Sequence, residues 1–189
     1  MRLLPSLALV LSLAAPLAAQ TVLSEAGGNW AGSEGTGFSF LARLTQNEDK
    51  ARLTIWGGNP GETAVAQGEP QFDNPNFALG AFATKQDLEV LETQDSSILQ
   101  VVTEYADEEG TGRTVTQLQF LDNQFTVVGY YHAGEYAGKN FECDVDLWKM
   151  TATEDGKVRE LEPVGFEALN ASEWTWDAPY VRGFCSRAE

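Results

Sequence analysis

The residues best equipped to touch a ligand lie near the C-terminus, where Trp174, Trp176 and Tyr180 crowd around Pro179. On an extended segment Trp174 and Trp176, two positions apart, project to the same side. Exposed together, they and Tyr180 would stack on a sugar ring or anchor a protein interface. The competing reading places these rings over a core, which needs large side chains of this kind. Trp174, Trp176 and Tyr180 are therefore the candidate ligand-binding residues.

Other groups are less specific. Glu142, Asp144 and Asp146 alternate with Cys143 and Val145, so on a strand the three carboxylates share one face. A glycosidase uses two carboxylates facing each other across a sugar. In a chain with 28 acidic and 12 basic residues, the plainer reading is the solvent side of a sheet. His132 is the only histidine, and the chain has neither a Gly-x-Ser-x-Gly elbow nor a Cys-x-x-Cys pair. That leaves no nucleophilic triad and no redox motif to assign. A zinc site of ordinary composition would need the cysteines as well. No catalytic residue, cofactor or resident metal is assigned. Asp73-Asn74-Pro75-Asn76 and Asp107-Glu108-Glu109 offer oxygen donors for weak calcium binding, without the alternating donors, central Gly and terminal Glu of the twelve-residue calcium loop.

The two cysteines, Cys143 and Cys185, are read as a disulfide, because the N-terminus carries an export signal. Arg2 opens a short positive region, Leu3 to Leu17 is apolar, and Pro16-Leu17-Ala18-Ala19-Gln20 supplies small residues for cleavage near Ala18 or Ala19. The expected organisation is a signal peptide over residues 1–19 and one extracytoplasmic domain over 20–189, periplasmic or secreted. The apolar run is too short, and too broken by proline, to span a bilayer, so no stable membrane insertion is expected. A net charge of −16 argues against nucleic acid, whose phosphates it would repel.

Stepping along the chain, the elements that must position these groups read as strands. Phe38 to Leu44 and Ala51 to Ile55 alternate about the polar Gln46 to Lys50, which predicts a hairpin. Gly57 to Gly80 reads as a long loop without periodicity. Thr84 to Leu91 fits a capped helix or a strand. Ser97 to Tyr105, Arg113 to Leu121, Phe125 to His132 and Phe141 to Met150 are predicted as four consecutive strands, with Ala133 to Asn140 a turn. Short connections favour an antiparallel meander. Asp155-Gly156 predicts a further hairpin turn leading to Val158 to Val164, and Phe166 to Leu169 a helical turn. The fold class is all-β, mainly antiparallel, with at most one or two short helices. A meander buries its apolar face either in a β-sandwich or in a closed β-barrel.

Gly28-Asn29-Trp30 resembles the Gly-x-Trp that opens the first strand of lipocalins and of lipocalin-like bacterial protease inhibitors. That resemblance implies a Trp closing the base of a barrel, and a disulfide tying the C-terminal segment to the wall. Val127-Val128-Gly129-Tyr130 followed by Cys143-Asp144-Val145-Asp146-Leu147 is similar to a pattern in exported bacterial β-rich proteins, and implies a bacterial envelope location without an activity. The leading functional expectation is a non-catalytic binding domain engaging a glycan or a protein through exposed aromatics. The alternatives are a lipocalin-like carrier of an apolar ligand or protease inhibitor, and a carboxylate-based hydrolase.

Overall fold

The structure is a computed structural model and describes residues 21–33, 37–108, 110–165 and 169–186. The expected signal peptide, Glu109 and most of the turn expected over Phe166 to Leu169 lie outside the described residues.

Short two-residue turns do much to set the topology. Asp122-Asn123, Ala137-Gly138 and Asp155-Gly156 all hold positive φ at both positions, the geometry whose twist matches that of paired strands. The described strands are β1 (Val22–Asn29), β2 (Phe38–Asn47), β3 (Lys50–Pro60), β4 (Phe72–Leu79), β5 (Ala83–Glu92), β6 (Ser97–Ala106), β7 (Gly110–Leu121), β8 (Gln124–Tyr136), β9 (Lys139–Asp146), β10 (Thr151–Glu154) and β11 (Lys157–Glu160). They form two antiparallel sheets, one ordered β1-β2-β3-β4 and the other β11-β10-β9-β8-β7-β6-β5. A 3-10 turn (Ala171–Glu173) and one helical turn, α1 (Ala178–Val181), follow the last strand.

This is the all-β antiparallel class with a sandwich arrangement; among the described residues no closed barrel forms. The inward rows explain why. Phe40, Ala42 and Leu44 of β2 and Ala51, Leu53 and Ile55 of β3 are buried, and they join Leu99, Leu118, Val127 and Val145 of the larger sheet in one apolar cluster. Alternation along β2 and β3 leaves the smaller sheet an apolar face, and stacking it on the larger sheet, whose central β6 and β8 are buried over consecutive residues, removes that surface from water.

At one side the sheets meet edge to edge. The Ser24 hydroxyl on β1 donates to Asp87 of β5 at 2.7 Å and accepts the Leu88 backbone N–H at 3.1 Å. Gly28 sits where the Phe40 ring and Val90 leave no room for a side chain. Trp30 stacks on Phe40 with ring centroids 3.9 Å apart. The Gly28-Asn29-Trp30 triplet is thus accounted for by closure of the sandwich edge.

Two sequence expectations shift and one open choice is resolved. The segment Gly57 to Gly80 is not a structureless loop: β3 runs to Pro60, and β4 fills its second half. Phe72 and Asn74 alternate inward, but Pro75 interrupts the pattern, which an edge strand tolerates because its outer N–H is not needed for pairing. Thr84 to Leu91 is strand rather than helix, because β5 pairs along its length with β6. The turn expected over Ala133 to Asn140 shrinks to Ala137-Gly138, since β8 and β9 stay paired out to Tyr136 and Lys139.

Candidate ligand-binding site

Alternation along the larger sheet brings one inward row together from five strands: Thr103, Thr114, His132, Cys143 and Glu154 are successive cross-strand partners. The next row holds Tyr105, Gly112, Gly134 and Phe141. Gly112 matters here, because a Cβ at that position would collide with the Tyr105 phenol. Its bare backbone lets the Tyr105 ring lie across β7 and reach His132.

His132 is the hub. Its Nε2 is 2.5 Å from the Tyr105 hydroxyl, and its Nδ1 meets the Tyr180 hydroxyl. Phe141 packs edge-on against the ring at 4.6 Å. Tyr180 also hydrogen-bonds the deeply buried Tyr130. Burial lowers the His132 pKa to about 4, so the imidazole is neutral near pH 7. A neutral ring has one donor and one acceptor nitrogen, so one phenol donates to it and the other accepts. Burial also pushes the Tyr105 hydroxyl up to about 12, with the neighbouring Tyr180 and Asp107 adding to the effect. Tyr105 therefore stays protonated near pH 7, as does Tyr130, whose hydroxyl pKa is also raised by burial.

Tyr180 arrives from the C-terminal strap, residues 169–186, which several tethers hold down. Cys143 and Cys185 form a disulfide with Cα atoms 6.0 Å apart, and Cys143 is the direct partner of His132. Arg159 donates to the carbonyls of Gly183 and Phe184 at 2.9 and 2.7 Å. At the other end of the strap, the buried Asn74 side chain donates to the carbonyls of Ala171 and Trp174 at 2.9 and 2.7 Å. An inward polar side chain on an edge strand thus satisfies strap backbone that would otherwise be buried without partners.

Between strap and sheet lies a cavity of about 900 Å³. Tyr105, Phe141, Trp176 and Tyr180 contribute aromatic wall, and His132 lies on its lining. Acidic residues outnumber basic ones there: Asp107, Glu154, Asp155 and Asp177 are among the acids, against Lys157 and Arg159. Arg159 is already paired with Glu154 at 2.8 Å.

The three candidate aromatics separate. Trp174 is fully buried, 6.5 Å from Tyr130 and beneath the Arg182 guanidinium. It does not share a face with Trp176, because the chain bends into α1 there instead of running extended, and the two-residue parity fails. Trp176 is 41% exposed and lines the cavity with the half-buried Tyr180. The sequence reading missed Tyr105 and Phe141 as partners of His132. The signal available was parity: both sit inward on strands adjoining β7 and β8.

The acids on β9 lie as a solvent-facing row would. Glu142 and Asp144 are exposed, with Glu142 accepting from Tyr131 at 3.0 Å, and Asp146 pairs with Lys149 at 2.6 Å. Burial, with the neighbouring Glu142 and Asp146 charges, raises the Asp144 pKa. The expected calcium donors are otherwise engaged: Asp73 pairs with Arg52, Asn74 holds the strap, and Asp107 accepts the Gly110 N–H at 2.9 Å. Among the described residues no group of three or more His, Cys, Asp or Glu is placed to hold a metal ion, and no helix is long and apolar enough to cross a membrane. Comparison with known proteins finds no matching family model, no similar curated protein and no similar solved structure.

Proposed function

We propose that the chain is an exported, non-catalytic binding domain of the bacterial envelope, and that it holds a saccharide ring in the cavity between the C-terminal strap and the larger sheet. The observation that carries this reading is the aromatic wall of Tyr105, Phe141, Trp176 and Tyr180 around a cavity of about 900 Å³. Aromatic faces bind the C–H faces of sugar rings, and carboxylates around them accept hydroxyl hydrogen bonds. A concave site of this size suits a small ligand better than the flat face of a protein partner. The acidic lining disfavours an anionic ligand.

Two features argue for binding rather than turnover. The only histidine has both ring nitrogens taken by phenols, so it has no free lone pair to act as a base toward a ligand. Of the row Glu142, Asp144 and Asp146, only Glu142 reaches the cavity lining, at an exposed position where it accepts from the Tyr131 hydroxyl, so the three carboxylates do not converge on a ligand. The exported location rests on the leader-like residues 1–19 and on the disulfide.

The test is isothermal titration of the oxidised protein with a panel of methyl glycosides and envelope-type oligosaccharides, followed through Trp176→Ala. Saturable binding that weakens about tenfold or more in this variant supports the reading. An absence of saccharide binding, or binding indifferent to Trp176, overturns it.

A further inference from the structure

A second cavity, of about 360 Å³, adjoins the first. The two share Tyr105, Asp107, His132, Trp176 and Tyr180 on their linings, so the His132 cluster stands as a ridge between them. The smaller chamber has a different chemistry. Phe77, Leu79, Phe82, Val101 and Tyr130 supply much of its wall, and its one charged lining residue, Asp107, belongs to the shared edge.

Two further observations point to an occupant. Thr103 lines this chamber, is 1% exposed, and has a hydroxyl without a hydrogen-bond partner. Buried hydroxyls are almost always paired, so an orphaned one on a residue of the chamber wall marks a polar group that the fold leaves unsatisfied. Phe82 also lines the chamber while 66% exposed, and it is held at a φ of 61°. A bulky residue in the left-handed region is costly and marks a place where the fold keeps an unfavourable arrangement. Here that arrangement keeps an apolar ring at the opening.

We propose that the two chambers are one bipartite site, and that its ligand is an alkylated or acylated saccharide, with the sugar in the larger chamber and the hydrocarbon chain in the smaller. This inference rests on the saccharide reading and extends it. A free fatty acid fits poorly, because its carboxylate would meet Asp107, Glu154 and Asp177. A plain saccharide leaves the apolar chamber without a contribution. An uncharged head on a hydrocarbon chain uses both.

The experiment compares matched methyl and octyl glucosides, galactosides and N-acetylglucosaminides with octanoate, each below its micelle concentration, by titration on the oxidised full chain. Each buried methylene favours binding by roughly fourfold at most, so an octyl chain seated in the chamber should tighten one glycoside by on the order of 100-fold over its methyl partner. Thr114→Phe places a ring in the chamber from a half-buried position on its wall. It should abolish the octyl advantage over the methyl glycoside. Phe82→Ala, at an exposed site, should reduce the advantage without affecting folding. Octanoate should not bind detectably.

If methyl glycosides bind and the octyl chain adds nothing, the saccharide reading stands and the bipartite site is overturned. If octanoate and the octyl glycosides bind alike, the head contributes nothing and both readings fall. An octyl advantage that survives Thr114→Phe in a variant of unchanged melting temperature places the chain elsewhere and overturns the inference.

Discussion

His132 shows how much one side chain's surroundings decide. With a pKa near 4 in the folded state against an ordinary value of 6.5, the unfolded chain binds this proton more readily than the folded one between those limits. The stabilisation is therefore full above about pH 6.5, is lost as the pH falls toward 4, and is flat below that, with a total on the order of 3 kcal/mol. Carboxylates titrate in the same window, so the measurement is the difference between wild type and His132→Gln in denaturant melts from pH 4 to 7. The wild-type curve should fall more steeply. Tyr180→Phe removes one phenol and leaves a buried ring nitrogen unpaired, which should cost about 1–3 kcal/mol in the same melts. Gly112→Ala should displace the Tyr105 ring from His132, visible as a change in the imidazole's NMR shifts while the hairpin signals persist.

The C-terminal strap is the element on which the site depends. Its cross-link closes a sequence separation of 42 residues, worth roughly 4 kcal/mol in the chain-entropy account. Cys143→Ala with Cys185→Ala should lower stability by up to about that amount. Hydrogen exchange should rise over residues 169–186 first, leaving the β6–β8 amides protected. Asn74→Ala acts at the opposite end of the strap. Removing one side-chain amide leaves the carbonyls of Ala171 and Trp174 without that donor, at an expected cost of about 1–3 kcal/mol in urea melts. Cavity ligands should bind more weakly in both variants, because Trp176 and Tyr180 travel with the strap.

At the scale of the whole molecule, charge dominates. A chain at −16 repels itself in the compact state. Raising ionic strength from about 10 to about 150 mM shortens the screening length from roughly 30 to 8 Å. The melting temperature should therefore rise with sodium chloride, by more than for a near-neutral domain of equal size; no rise would mean that local pairs such as Arg43–Glu25 and Arg52–Asp73 already offset the repulsion. The same scale separates what the residues alone determine from what assembly decides. The strands of the meander, the all-β class, the Cys143–Cys185 pairing and the outward row on β9 were legible, because two-residue parity and turn chemistry are local and each acts within a few positions of its cause. β4 was hidden because an edge strand may carry Pro75 and a buried Asn74, and only the strap above it explains the asparagine. Of the three candidate aromatics, Trp176 and Tyr180 line the cavity. Trp174 turned inward where the chain bends, and Tyr105, His132 and Phe141 were brought beside Tyr180 by strand register and a disulfide. Register and strap docking are long-range choices, settled by which pairing buries the most apolar surface, and no window of sequence around any one of those residues contains that information.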